Sequence, residues 1–260
     1  MNAYRLWDHI PETLFDQVLG DEESTVFEGF LGLIATGRNR VARRTGTSAN
    51  DLLVFNQDGS RPPLCWCFNN WAEPVLLAHQ LDRDQPLYAM HSLHAVTENW
   101  QLKARYNEPI ASRYLDALDA HTDRRDLVFG GNCQGAPVAE SMAIQYAQRT
   151  GRHPLLVTLD YIPRRWYRGS MFTIFGKDSY FNPFLCAGDP LAFFAERHSR
   201  FSMGILDAAH GHYFREPGIG MLKGVIDWIV DYFVRHERVP DRQIFANGLE
   251  GKNSATGFKA

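Results

Sequence analysis

The chain has 260 residues, of which 45% are hydrophobic and 22% charged, and its formal net charge is −3. This composition is that of a globular protein with a sizeable core, and it excludes a strongly basic protein that binds nucleic acid or a membrane surface. We therefore expect no nucleic-acid partner and no membrane partner. The four cysteines, Cys65, Cys67, Cys133 and Cys186, form no CxxC pair and no metal-ligand spacing. Together with an N-terminus that has no apolar signal segment, they predict reduced thiols, no metal site and a cytoplasmic location.

Residues 1–50 differ in pattern from the rest of the chain. Apolar residues at helical spacing predict helices over residues 11–19 and 22–35, and a basic stretch follows. The arginines of that stretch are Arg38, Arg40, Arg43 and Arg44. We interpret residues 1–50 as a helical N-terminal extension.

From residue 51 onward, short apolar runs alternate with helical patterns. Strands are predicted over residues 51–55, 64–68, 86–93, 126–130, 154–159, 171–175 and 201–206. Helices are predicted over residues 71–81, 110–121, 137–149, 189–197 and 218–234. This alternation predicts an α/β fold with a mostly parallel sheet covered by helices on both faces. Residues 51–238 are therefore interpreted as one domain, and the polar residues 239–260 as a mobile tail.

The segment Gly131-Asn132-Cys133-Gln134-Gly135 lies between a predicted strand and a predicted helix. It has the G-x-S-x-G pattern of a hydrolase nucleophile elbow, with a thiol in place of the hydroxyl. Cβ atoms at either glycine would collide in so sharp a turn. The turn places Cys133 at a helix N-terminus, which favours a thiolate, and directs the Gln134 N–H into an oxyanion hole. Cys133 is the predicted nucleophile; a buried structural cysteine is the alternative.

A base and an acid are expected after later strands of the sheet. His210 and His212 both follow the last predicted strand. His210 is preferred because its spacing from Pro217, seven residues, is the one that the resemblance described below implies, and His212 is the alternative. Asp160 ends the strand that follows the elbow helix, and Asp178 ends the next one. A carboxylate at either position would orient the imidazole and stabilise the imidazolium ion. Asp160 is the preferred acid and Asp178 the alternative.

Several spaced motifs over residues 61–217 resemble those of one enzyme family. The motifs are Arg61-Pro62-Pro63-Leu64, the strand at 85–90, the helix at 106–118, the elbow at 130–136, the segment at 157–163 and the loop at 209–217. The chain resembles the thioesterase domains of nonribosomal peptide and polyketide synthetases, which have the α/β-hydrolase fold. The resemblance implies that Asp160 is the triad acid and that His210 is the base. It also implies an acyl or peptidyl carrier protein as partner, no bound cofactor, and a substrate presented on the carrier's phosphopantetheine.

The chain departs from this family at three places. The nucleophile is Cys133 rather than serine. The usual oxyanion loop is replaced by Phe68-Asn69-Asn70-Trp71-Ala72, in which the Asn70 backbone N–H is the expected second oxyanion donor. Only residues 164–170 stand where the family has a helical lid, so the lid is much reduced. We expect the N-terminal helices, roughly residues 8–36, to cover the site instead or to pack on the side of the lid.

Sulfur at the nucleophile position predicts acyl transfer. An acyl group on Cys133 remains a thioester, so it can pass to a small-molecule amine, hydroxyl or thiol acceptor. Hydrolytic release of the product is the alternative. A second alternative is a hydrolase similar to dienelactone hydrolases, with Asp178 as the acid. Polyhydroxyalkanoate synthases also place cysteine in such an elbow, but the chain is short for that family. The non-enzymatic alternative is a binding scaffold with the same fold.

A basic and aromatic segment follows the strand that carries Asp160. Its residues Arg164, Arg165, Trp166 and Arg168 are predicted to meet the carrier's phosphate, because guanidinium groups bind phosphate through paired hydrogen bonds. The arginines between residues 38 and 44 are the weaker candidate for this contact.

Overall fold

The computed structural model describes residues 23–49, 51–123, 126–186 and 189–246. The predicted helix over residues 11–19 lies outside these ranges. The helices are α1 (Glu23–Thr45), α2 (Glu73–Gln80), α3 (Trp100–His121), α4 (Ala136–Thr150), α5 (Pro190–Ala195) and α6 (Gly218–His236). The strands are β1 (Ser48–Ala49), β2 (Leu53–Phe55), β3 (Leu64–Phe68), β4 (Leu87–His91), β5 (Val128–Asn132), β6 (Leu155–Leu159), β7 (Met171–Gly176), β8 (Phe201–Leu206) and β9 (Ile244–Ala246). Short 3₁₀ helices span Leu93–Ala95, Cys133–Gly135 and Pro183–Leu185.

The described strands form one sheet in the order β1-β2-β4-β3-β5-β6-β7-β8-β9. β2 pairs antiparallel with both β1 and β4, and all other neighbours are parallel. Strands β3 to β8 are buried along their whole length. Burial on both faces explains why these strands read as continuous apolar runs in the sequence. The predicted mostly parallel sheet is confirmed.

The helices cover both faces of the sheet. The crossover from β3 through α2 to β4 and the crossover from β4 through α3 to β5 run in opposite directions across the sheet. Right-handed crossovers in opposite directions place their helices on opposite faces. Helix α2 contacts α6, whereas α3 packs against α4. The largest buried side chains between these layers are Trp66, Phe68, Phe129, Phe172, Phe175 and Phe201.

Two helices are longer than the sequence predicted. Helix α1 runs through the basic stretch to Thr45, because Val41 and Ala42 continue its buried face. Helix α3 begins at Trp100, ten residues before the predicted start. The Asn99 side chain caps it by accepting hydrogen bonds from the backbone N–H groups of the next turn, and Pro109 is accommodated inside the helix.

The first residues of the predicted tail, 239–246, pack against the sheet. Ile244–Ala246 form β9, which pairs in parallel with β8. Phe245 is 3% exposed, and its ring lies 4.5 Å from that of Trp228. An apolar run of three residues within a polar segment was too short to indicate a strand. At the N-terminal edge of the sheet, β1 pairs with β2. The last residues of the predicted extension 1–50 are therefore part of the sheet.

Candidate active site

The elbow around Cys133 has the geometry that its glycines predicted. Cys133 has φ of +46°, in the left-handed region, between the end of β5 and the start of α4. A Cβ on Gly131 would lie 2.6 Å from the Gly135 carbonyl oxygen, and a Cβ on Gly135 would overlap the Cys67 carbonyl. The backbone can therefore make this turn only with glycine at both positions, and the turn holds the thiol at the carboxyl end of β5.

Asp160 and His210 form a hydrogen-bonded pair near this edge of the sheet. Asp160 directly follows β6, is 1% exposed, and its Oδ2 atom lies 2.7 Å from His210 Nδ1. Its Oδ1 atom accepts a hydrogen bond from the Gly176 N–H at 3.2 Å. The Tyr213 hydroxyl donates to Oδ2 as well. This carboxylate is thus held on both oxygens and fixes the orientation of the imidazole.

The alternative acid and base lie away from this pair. Asp178 is exposed in the loop after β7, and His212 is exposed two residues after His210. The structure brings Asp160, not Asp178, to the imidazole of His210.

Cys133 and Asp160 line one cleft of about 430 Å³. Helix α3 contributes Trp100 and Lys103, and the segment after β6 contributes Tyr161 and Arg164. The walls of the cleft thus combine aromatic and charged side chains.

Two aromatic rings contact His210. The ring centroids of Tyr180 and Phe181 lie 4.7 and 5.3 Å from that of the imidazole. Phe181 also lines the cleft. Both residues come from the loop after β7, and no sequence motif had pointed to them.

The surroundings of the Cys133 thiol oppose a charge on its sulfur. Burial is the main effect that raises the pKa of Cys133, and the nearby carboxylates of Asp160 and Glu73 raise it further. The Gln134 N–H interacts with the sulfur and acts in the opposite direction. The expected effect of the helix N-terminus is therefore outweighed by desolvation and negative charge.

Hydrogen bonds within the loop after β3 hold Asn70, one of the two predicted oxyanion donors. Asn70 Oδ1 accepts hydrogen bonds from the N–H groups of Ala72 and Glu73, at 3.0 and 3.2 Å. The Asn70 N–H faces the carboxylate of Glu73, to which the Asn69 N–H also donates, at 2.9 Å. The Gln134 N–H interacts with the sulfur of Cys133. Asn70 remains a predicted oxyanion donor, and the sequence had not pointed to Glu73, the acceptor three residues later.

The predicted phosphate-binding residues divide into two pairs. Arg164 and Arg165 line the cleft, and Arg165 Nη1 lies 2.8 Å from Glu108 Oε1. Trp166 is exposed, with the Arg168 guanidinium 6.0 Å from its ring centroid, and neither residue lines the cleft. In the weaker cluster, Arg38 is buried and donates to the Asp51 carbonyl, whereas Arg40, Arg43 and Arg44 are exposed.

Glu140 secures the short segment that stands where a lid would be. It is 2% exposed, and its Oε1 atom accepts hydrogen bonds from the N–H groups of Arg164 and Arg165 at 3.0 and 3.1 Å. Its Oε2 atom accepts a hydrogen bond from the Tyr161 hydroxyl at 2.9 Å. Residues 160–170 contain no helix. The sequence signal for Glu140 was its position seven residues after Cys133, two turns along the same face of α4.

Helix α1 lies beside the site and does not cover it. Its Phe27 ring stacks on Tyr106 of α3 with centroids 5.1 Å apart, and Gly37 lies against the Trp71 ring of the loop after β3. None of the described residues of α1 lines the cleft. The other expected helix, over residues 11–19, lies outside the described part of the chain.

Within the ranges that the structure describes, no helix is long and apolar enough to cross a membrane. Among the same residues, no group of histidine, cysteine, aspartate and glutamate side chains could hold a metal ion.

Comparison with known proteins reveals similarity in structure alone. No protein-family model matches the chain, and no curated protein sequence matches it. YbtT, a type II thioesterase from the yersiniabactin NRPS/PKS biosynthetic pathway, superposes with a TM-score of 0.50 at 13% identity, over 68% of this chain and 95% of YbtT. The NocB thioesterase domain from the nocardicin cluster gives 0.49 at 14% identity, over 66% of this chain and 94% of NocB. The RedJ thioesterase of the prodiginine pathway in Streptomyces coelicolor gives 0.45 at 14% identity, over 64% and 85%.

The chain has the α/β-hydrolase fold. The superposition on YbtT, together with the strand order and the elbow after β5, establishes it. In α/β hydrolases the nucleophile stands on this elbow, at the carboxyl end of the sheet. The predicted fold class is confirmed.

Proposed function

We propose that this α/β hydrolase is a thioesterase-like acyl-transfer enzyme of peptide or polyketide natural-product biosynthesis. It takes an acyl or aminoacyl group from the phosphopantetheine thioester of a carrier protein onto Cys133. It then passes the group to an amine, hydroxyl or thiol acceptor, or to water. The observation that carries the proposal is the thiol on a strained elbow, in one cleft with the carboxylate that orients His210.

In the first step, the sulfur of Cys133 attacks the thioester carbonyl and His210 receives the thiol proton. The imidazolium formed is stabilised by Asp160, whose Oδ2 atom lies 2.7 Å from Nδ1. Collapse of the tetrahedral intermediate breaks the bond between the carbonyl carbon and the pantetheine sulfur. The proton passes from His210 to that sulfur, so a new thioester and a free pantetheine thiol are formed.

In the second step, His210 takes a proton from the acceptor as the acceptor attacks the acyl-enzyme. The C–S bond to Cys133 breaks, and the thiol is restored with that proton. Because substrate and acyl-enzyme are both thioesters, the first step is nearly balanced in free energy, and the group can return to a thiol. An ester on serine would lie lower and would favour a one-way release.

A hydrolase similar to dienelactone hydrolases is the weaker candidate. Its acid would be Asp178, after β7, but that side chain is exposed, whereas His210 is bonded to Asp160 after β6. Hydrolytic release by the same Cys–His–Asp set is the closer alternative, and it differs from transfer only in the acceptor.

Carrier docking is assigned to the surface beside the cleft. Arg164 lines the cleft and has no ion-pair partner among the described residues, so its guanidinium is free for the phosphate of phosphopantetheine. Arg165 is bonded to Glu108, and Trp166 and Arg168 lie farther out on the same segment.

Acceptor preference in the wild type and in Cys133→Ser tests the proposal. Each protein is incubated with an acyl-pantetheine thioester and an excess of a second thiol, and new thioester and free acid are quantified by mass spectrometry. We expect the wild type to give mainly the new thioester, and Cys133→Ser to give mainly free acid at a lower rate. Acid as the main product of the wild type would contradict transfer, and no product from either protein would contradict an enzymatic role.

A further inference from the structure

A chain of buried and partly buried hydrogen bonds runs from β3 through the elbow to the loop after β3. The Trp66 indole N–H donates to Asn132 Oδ1 at 3.1 Å, and Asn132 Nδ2 donates to Glu73 Oε2 at 3.2 Å. The same Oε2 atom accepts the Asn69 N–H at 2.9 Å. Asn132 directly precedes Cys133, so this chain connects one carboxylate to the nucleophile turn and to the oxyanion loop.

The carboxylate of Glu73 opposes charge on the sulfur. Burial raises the pKa of Glu73 to about 7, although the N–H groups of Asn69 and Asn70 and the Asn132 amide stabilise its charged form. In its charged form, Glu73 raises the pKa of the Cys133 thiol. Glu73 also engages the Asn70 N–H that the sequence assigned to the oxyanion hole. The same group thus restrains both the nucleophile and one expected oxyanion donor.

Other titratable groups surround this pair. Asp160, bonded to His210, faces Cys133 from the loop after β6, and Tyr180 approaches from the loop after β7. The thiol of Cys67, on β3, is buried beside Glu73. The charged residues elsewhere in the cleft lining are Lys103, Glu108, Glu140, Arg164 and Arg165. Of these groups, only Glu73 is hydrogen-bonded to the residue that precedes the nucleophile.

We propose that Glu73 is a positioning residue of the elbow: its carboxylate, held by Asn132 and Asn69, fixes the turn that carries Cys133 and places a negative charge against the residue that precedes it, which slows the reaction of the sulfur as a nucleophile. The thiol should therefore react more slowly when Glu73 carries its charge than when that charge is removed. Because the restraint concerns the thiol itself, it can be measured without any acyl donor, and its failure would leave the proposed acyl transfer untouched.

The rate of alkylation of Cys133 by iodoacetamide, measured between pH 5.5 and 9, tests this inference. Peptide mapping separates Cys133 from the other three cysteines. In Glu73→Gln, which keeps the size of the side chain and removes its charge, we expect alkylation at pH 8, where the wild-type carboxyl is charged, to be about 3- to 10-fold faster than in the wild type. The gain is smaller than the change in thiolate population, because a thiolate of lower pKa is less nucleophilic. The rate profile should shift to lower pH.

Glu108→Gln is the matched control, because Glu108 lines the same cleft but is bonded to Arg165. Its profile should equal that of the wild type. Glu73→Asp restores the charge and should return the profile toward the wild type, which separates the effect of charge from a loss of folding. A Glu73→Gln profile that coincides with the wild-type profile, or an equal shift in Glu108→Gln, would overturn the proposal.

Discussion

The surroundings of Asp160 distinguish it clearly from Asp178, the alternative acid of the triad. It is buried after β6, accepts the Gly176 N–H and contacts His210, whereas Asp178 is exposed one strand later. The choice between them was open in the sequence, because each aspartate ends an apolar run. Burial and the imidazole contact depend on how the loops after β6 and β8 approach each other, and no local pattern encodes that approach.

Exchange of each aspartate for asparagine measures their roles. In Asp160→Asn we expect kcat of acyl transfer to fall by about four orders of magnitude, because the amide no longer stabilises the imidazolium or holds the correct tautomer. In Asp178→Asn we expect kcat within about twofold of the wild type, as is usual for a surface change away from the site. Steady-state kinetics with an acyl-pantetheine thioester distinguishes the two. Equal losses in both variants, or a loss confined to Asp178→Asn, would refute the assignment.

At the scale of elements, the turn from β5 to α4 has the tightest steric constraint near the site. Gly135 lies against the Cys67 carbonyl, and Cys133 takes a left-handed conformation so that the strand can lead directly into the helix. This element was predictable because a strand, a G-x-C-x-G segment and a helix follow one another in the sequence. Glu73 and Tyr213 were not predictable in the same way, since each reaches the site through side-chain contacts between segments far apart in the chain.

Gly135→Ala tests the elbow as an element. The added Cβ overlaps the Cys67 carbonyl, so we expect the free energy of unfolding to fall by about 1–3 kcal/mol in urea denaturation. Gly32→Ala is the control, since a Cβ there meets no atom within 4 Å on helix α1, and alanine is the better helix former by about 1 kcal/mol. Its stability should be equal to or above that of the wild type. An unchanged Gly135→Ala would indicate that the elbow can relax, contrary to the packing described.

At the scale of the whole molecule, the sheet positions the site, and the flanking segments form the walls of the cleft that leads to it. The parallel direction of most strands follows from the alternating pattern of the sequence, and seven of the strands were expected close to where they lie, but the strand order was not predicted. The sequence did not indicate β1 and β9, because strands of two and three residues at the sheet edges are too short to show an alternating pattern. Helix α1 packs on α3 and on Trp71 rather than over the cleft, so the cleft is bounded by α3 and the short segment after β6.

Intact-mass spectrometry of the protein after mixing with an aminoacyl-pantetheine thioester tests the central claim most directly. We predict that the wild type gains the mass of one acyl group, that digestion places it on the peptide of Cys133, and that Cys133→Ala gains none. Cys186→Ala, which removes an exposed thiol, should behave as the wild type. An acyl group on Cys186, or an equal adduct in Cys133→Ala, would contradict the assignment of Cys133 as the nucleophile.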